Sequence, residues 1–244
     1  VMEEVLRPEN FCVSYTGERE SLDVVKAQAA GIKKVLFNGQ KPEPVKQAPC
    51  IKKNEAFKTS GQVQYVAQNG NFRKKGLEYT GALEILKVIL SYDYLWINLR
   101  VKGGAYGCMS GFKRNGESFL VSYRDPHLKR TLEVYQGVPD YIRAFEADER
   151  EMTKYIIGTI SNKDVPRTPQ MQGSISKTAY FSNVTEDMLQ KERNQILGAQ
   201  KEDIQKLAAL VEAVLSDDQI CVVGSETAIE KAEDVFMEVK PLIG

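Results

Sequence analysis

Residues 80–101, TGALEILKVILSYDYLWINLRV, constrain this chain more than any other stretch. Leu83, Leu86, Ile89 or Leu90, Leu95, Trp96 and Leu99 spread apolar side chains over a broad helical surface. A helix apolar around so much of its circumference has to be enclosed, so other elements must be layered against it. Thr80 is placed to cap its start, and the aromatic run Tyr92, Tyr94 and Trp96 reads as core. The helix delivers Arg100 and then KGGAYG, in which Gly103, Gly104 and Gly107 surround Tyr106. Glycines this dense permit unusual φ/ψ and close backbone approach.

The flanking segments supply the layers. In GQVQYVAQNGNF, residues 61–72, Val63, Tyr65 and Ala67 alternate with glutamines as in a half-buried strand. CMSGF at 108–112 and SFLVSY at 118–123 flank Asn115-Gly116, a hairpin turn signal. Asp125-Pro126 opens a helix through Leu132, Val134 and Tyr135, and helical spacing recurs over 149–161, 170–181, 186–197 and 202–215. DVPRTPQ, 164–170, is a proline-stiffened loop. Hairpin strands, then helices, then a closing strand and helix predict an α+β fold, a largely antiparallel sheet with helices packed on one face. A doubly wound parallel sheet would need strict alternation of strand and helix, which is missing.

The two ends of the chain resemble each other. FCVSY at 11–15 is β-prone; a turn at Thr16-Gly17 follows, then a helix carrying Leu22, Val25, Ala29, Ile32, Val35 and Leu36 on one face. QICVV at 219–223, the turn Gly224-Ser225 and ETAIEKAEDVFMEVKPLI, with Ile229, Ala232, Val235, Phe236 and Val239 on one face, repeat the order. Such similarity points to duplicated domains, each closing with a strand and a helix. Residues 1–38 are then the tail of one domain, 39–48 lie in a proline-rich linker, and 49–244 form a complete second copy. Val1 stands before Met2, so the chain reads as cut from something longer.

Composition removes several function classes. Lys and Arg number 33 against 33 Asp and Glu, so no net field draws the chain to nucleic acid or to a membrane surface. No apolar run approaches the roughly 20 residues of a membrane span, and VMEEVLRPEN is no signal peptide. Cys12, Cys50, Cys108 and Cys221 have no framework spacing and read as free thiols, small buried hydrophobes of a reducing, cytoplasmic compartment. One histidine, His127, forbids a two-histidine zinc site and reads as a surface or capping residue. Neither G-x-G-x-x-G nor G-x-x-x-x-G-K-[ST] is present.

Two readings of the glycine stretch remain open. Arg100 as a multi-donor cation and Tyr106 as a phenolic donor, with the backbone at Gly103 and Gly104, can grip a carbonyl oxygen or a developing oxyanion. Alternatively the glycines form a helix-to-strand turn, Arg100 pairs with a local carboxylate and Tyr106 packs.

FKTSGQVQYVAQNGNF, YTGALEILKVILSYDYLW, LRVKGGAYG and SYRDP resemble the final domain of the presequence-protease subfamily of insulinase-like (pitrilysin-family) zinc metallopeptidases. The resemblance covers essentially the whole chain. It implies four homologous α+β domains in two halves that close as a clamshell around a peptide chamber. Residues 1–38 would be the closing strand and helix of the third domain, 39–48 the linker, and 49–244 the fourth domain. It implies zinc as cofactor of the full-length enzyme, held by an inverted H-x-x-E-H motif of the first domain that is absent here. This chain would bind no metal and would be inactive alone. Arg100 and Tyr106 match the arginine and tyrosine that such a last domain presents to the scissile carbonyl and its oxyanion, with Gly103 and Gly104 part of the substrate-binding backbone. The implied partners are a peptide substrate and the N-terminal half of the same enzyme, with self-association of the fragment possible; no nucleic acid and no membrane are implied. A non-catalytic peptide-binding or structural subunit of the same fold is the alternative.

Overall fold

The computed structural model describes residues 1–40, 43 and 51–243. Most of the 39–48 linker expected from the sequence lies outside them. The chain divides into two compact units, Val1–Cys50 with Val165–Leu189, and Ile51–Asp164 with Gln190–Gly244.

The second unit is built on a six-stranded sheet in the order β3-β4-β2-β5-β1-β6, where β1 is Glu55–Thr59, β2 Gln64–Asn71, β3 Gly107–Phe112, β4 Glu117–Asp125, β5 Gln219–Ser225 and β6 Glu238–Pro241. The pairs β3/β4, β4/β2 and β2/β5 are antiparallel, and β5/β1 and β1/β6 are parallel. The β3/β4 hairpin closes at Asn115-Gly116, where Gly116 has φ +89°, as the dipeptide predicts. The α+β fold with a mainly antiparallel sheet is therefore the observed architecture.

Helices enclose the core. The apolar helix runs Ala82–Ile89 and continues as π-helical turns Leu90–Tyr94 and Trp96–Val101. Its Leu83, Leu86, Ile89, Leu90, Leu95 and Leu99 are buried. Thr80 Oγ1 accepts from Ala82 N at 3.4 Å. Tyr135, on the helix Lys129–Gln136, is fully buried and donates its hydroxyl to Val66 O on β2 at 3.1 Å. That helix starts at Lys129 rather than at Pro126, because both Asp125 carboxylate oxygens are occupied: one accepts from His127 N at 2.9 Å, the other from Thr131 Oγ1 at 2.7 Å.

Several expectations are corrected. On β2 the buried face is Gln64, Val66, Gln68 and Gly70, while Tyr65 is exposed, so the strand shows the opposite face to the one its hydrophobic alternation predicts. Hydrogen bonds hold both buried amides through their oxygens, while Gln68 Nε2 has no partner among the described residues. Gln64 Oε1 accepts from Ser225 N at 2.8 Å and Gln68 Oε1 from Gln136 Nε2 at 3.3 Å. A Cβ at Gly70 would lie 2.0 Å from Val214 O, so the helix Ala208–Leu215 can approach only a glycine there.

The C-terminal helix expected after Ser225 stops at Glu230, followed by a 3-10 turn Glu233–Val235 and then β6. Val239 pairs with Ala56 and Met237 N donates to Asn54 O at 2.7 Å; β1 offers an unpaired edge that this segment satisfies as a strand. The helix read over 202–215 is two, Lys201–Gln205 and Ala208–Leu215, and Val138–Arg143 is an additional helix with Pro139 in its first turn. In the first unit, Leu22–Val35 is helical as expected, but residues 11–15 form no strand, since no ladder partner meets them among the described residues.

Candidate functional site

The site grows from the way the long helix ends. Lys102 N donates to Ile97 O at 2.9 Å, Gly104 N to Arg100 O at 3.0 Å and Ala105 N to Leu99 O at 2.9 Å. Gly104 takes the left-handed conformation, φ +79°, that closes such a cap at low cost only for glycine. A Cβ at Gly103 would sit 2.4 Å from Leu99 O, and one at Gly107 would sit 2.3 Å from the Tyr123 ring. Each glycine thus has an intramolecular reason, and the stretch is a helix-to-strand turn.

The side chains do not follow that reading. Arg100 has no carboxylate partner among the described residues; its guanidinium lies over the Trp96 ring, 4.1 Å from the centroid. Tyr106 is 59% exposed rather than packed inside. Its ring meets Tyr123 edge-on at 5.4 Å and 62°, and the Arg124 guanidinium lies 5.6 Å from its centroid. Tyr106 N donates to Arg124 O at 3.3 Å, where Arg124 itself holds φ +49°. The turn therefore presents a charged multi-donor group and a phenol to solvent on one short segment. That pairing is suited to an oxygen acceptor carrying partial or full negative charge.

Sequence reasoning singled out Arg100 and Tyr106 and missed the residues that lie against them. Trp96 is not core: it is 39% exposed and stacks on Arg100 one helical turn away, and that four-residue spacing was the available signal. Tyr92 is also exposed, whereas Tyr94 is half-buried, donating its hydroxyl to Val134 O at 2.9 Å and stacking on Tyr141 at 4.7 Å. Nothing local marked Arg124, which the β3/β4 register brings to Tyr106.

The remaining candidates offer no chemistry. Burial pushes the Cys108 thiol up from its ordinary value, with Arg100 pulling it partly back, and burial raises Cys221 as well; neither is an activated nucleophile. Cys12 is exposed rather than buried, all three described cysteines are free, and Cys50 lies outside the described residues. His127 is exposed, and among the described residues no group of three or more His, Cys, Asp or Glu is arranged to hold a metal ion.

Comparisons with known proteins follow this geometry. The sequence profile of the family described as "PreP C-terminal domain" matches residues 54–226. The protein HypA of Clostridium perfringens is 44% identical over 234 residues, which is 96% of this chain and 24% of that protein. Presequence protease 1, chloroplastic/mitochondrial, of Arabidopsis thaliana is 34% identical over 192 residues, 77% of this chain and 18% of its own length. The chain thus spans a quarter or less of the length of these two relatives. Among solved structures, the peptidase M16 inactive domain from Pseudomonas fluorescens superposes with a TM-score of 0.56 at 18% identity, covering 92% of this chain and 52% of that one, a likeness of fold.

Proposed function

Because the chain belongs to the PreP C-terminal domain family, we propose that it is the C-terminal, non-zinc-binding portion of a zinc-dependent metalloendopeptidase that degrades short unstructured peptides. The observation that carries this reading is an arginine with no carboxylate partner among the described residues and an exposed tyrosine on one capped turn. Arg100 binds and polarises the scissile carbonyl of a bound peptide, and Tyr106 donates to the oxyanion as it forms. The turn fixes both before substrate arrives, and such preorganised donors are worth about 3 to 4 kcal/mol each in acyl transfer. Gly103 and Gly104 serve the site by making that turn possible.

In this reading the metal and its ligands belong to the N-terminal half of the same enzyme, so this chain alone is inactive. Residues 1–38 close a third homologous domain, 39–48 link, and 49–244 form the fourth. The free thiols of Cys12, Cys108 and Cys221 support a reducing compartment, which in this reading is the cytoplasm.

The test is peptide hydrolysis by this chain mixed with its N-terminal portion. Activity is expected from the mixture alone, and Tyr106→Phe is expected to lower kcat/KM at least tenfold without lowering the melting temperature. Unchanged activity would remove Tyr106 from the reaction. An inactive mixture whose upstream portion lacks H-x-x-E-H would favour a non-catalytic subunit of the same fold.

A further inference from the structure

Among the described residues, no acid pairs with the cations around Tyr106. Gly104 N bonds Arg100 O, Tyr106 N bonds Arg124 O, and Arg130 Nη1 donates to Lys102 O at 3.2 Å. Pro126 Cγ lies 3.5 Å from where a Gly104 Cβ would stand. Arg100, Lys102, Arg124 and Arg130 therefore belong to one surface, formed by the glycine turn, the last residues of β4 and the segment that follows them. All four are exposed, and no ion pair reaches any of them among the described residues.

The contrast with neighbouring cations is sharp. Lys113 pairs with Glu117, Arg114 with Glu192 and Lys129 with Asp234. Asp125, the acid within this segment, is buried and turned inward onto His127 N and Thr131 Oγ1. In a chain with equal numbers of acidic and basic residues, four unpaired cations on one surface repel one another unless an anion is brought to them. Arg124 is also held in a left-handed backbone conformation, a strained state for a non-glycine residue that recurs at binding sites.

Resting on the peptide reading above, we propose that this surface recognises a carboxylate of the bound peptide, from an acidic side chain or from a free C-terminus, beside the carbonyl held by Arg100 and Tyr106. Arg124 is its principal ligand. The guanidinium presents parallel N–H donors that match both oxygens of a carboxylate. Lys102 and Arg130 add field rather than fixed geometry. Peptides with acidic residues or a free end near the cleaved bond are then preferred over basic ones.

The experiment is fluorescence anisotropy of labelled peptides of one length and core sequence on this chain. The peptides are neutral and amidated, glutamate-containing and amidated, neutral with a free C-terminal carboxylate, and lysine-containing and amidated. At low salt, one or both carboxylate peptides should bind about five- to tenfold tighter than the neutral peptide, less than a fully buried charged hydrogen bond gives because this surface is exposed to solvent. The two carboxylate arms show which source is read. Arg124→Gln should cut the acidic-to-neutral ratio below about twofold, Arg124→Lys should keep part of it, and about 0.5 M salt should shrink it. Melting temperatures of both variants should match the parent chain.

Equal binding of acidic, neutral and basic peptides overturns this inference and leaves the peptide reading standing. A chain that binds none of them overturns this inference, and the peptide reading then stands or falls with hydrolysis by the reconstituted mixture. Oligothymidylate bound more tightly than the acidic peptides also overturns the inference, because the surface would then be reading phosphate.

Discussion

Arg100 and Arg114 flank the same strand, β3, and have opposite fates. Arg114 donates Nε and Nη2 to the two carboxylate oxygens of Glu192 at 2.5 and 2.6 Å, and Glu192 is buried. Its guanidinium is consumed by the fold and ties the β3/β4 hairpin tip to the helix Glu186–Leu197. Among the described residues Arg100 has only an aromatic platform, which fixes its direction and leaves its N–H groups available. A guanidinium saturated by a carboxylate does structural service, and one held by a ring keeps its hydrogen-bonding capacity for something else.

The largest effect that sharpens this contrast should come from Glu192→Ala. It strands Arg114 at the edge of the core, and because Arg114 remains partly exposed the loss should be about 2 kcal/mol, below the range for a fully buried pair. Urea denaturation of the chain checks it, and a loss well under about 0.5 kcal/mol would mean that Arg114 is as unconstrained as Arg100. Next in size is Gly104→Ala. A Cβ there has space, with Pro126 Cγ the nearest atom at 3.5 Å, so the cost is the left-handed backbone alone, about 1 kcal/mol. A neutral result in the same assay would show that the cap relaxes and that Arg100 is not held by it.

Trp96→Ala should leave stability nearly unchanged and lower kcat/KM of the reconstituted enzyme about two- to fivefold, the scale of an exposed cation–π contact. Trp96→Phe should restore part of it. Smallest is the acid limb of stability. Glu238 on β6 is held down to about 2 by Lys240 first and Lys53 second. A carboxylate depressed in the folded state stabilises above its ordinary value of 4.5, and that contribution disappears as pH falls from 4.5 toward 2. Glu238→Gln should flatten the stability curve in that window, read by thermal melting, without affecting either arginine.

What could be read from the sequence was what local pattern dictates. The long helix with its glycine end, the Asn115-Gly116 hairpin and β5 are set by periodicity and turn chemistry within a few residues. What escaped depends on distant partners. β6 exists because β1 accepts it in parallel, and a helical stripe through Ile229, Ala232 and Phe236 cannot reveal that. The inward face of β2 was concealed because glutamines are buried there, each with a bond that only the folded sheet and its neighbouring helix supply.

At the site, Arg100 and Tyr106 were legible as residue types in a suggestive order. The glycines were legible as special, but their purpose is internal: Leu99 O, a left-handed cap and the Tyr123 ring account for them. Trp96 was read as core because aromatic residues on an apolar helix usually are, and Arg124 reaches Tyr106 only through strand register.

The most direct measurement is hydrolysis of a short unstructured peptide by the chain reconstituted with its N-terminal portion, comparing Arg100→Ala with Arg114→Ala and following each by urea denaturation. The account requires Arg100→Ala to lose at least tenfold in kcat/KM at unchanged stability, and Arg114→Ala to lose stability while keeping kcat/KM per folded molecule. If Arg100→Ala is fully active, or if both variants lose activity only in proportion to the protein that unfolds, Arg100 does not act on the peptide.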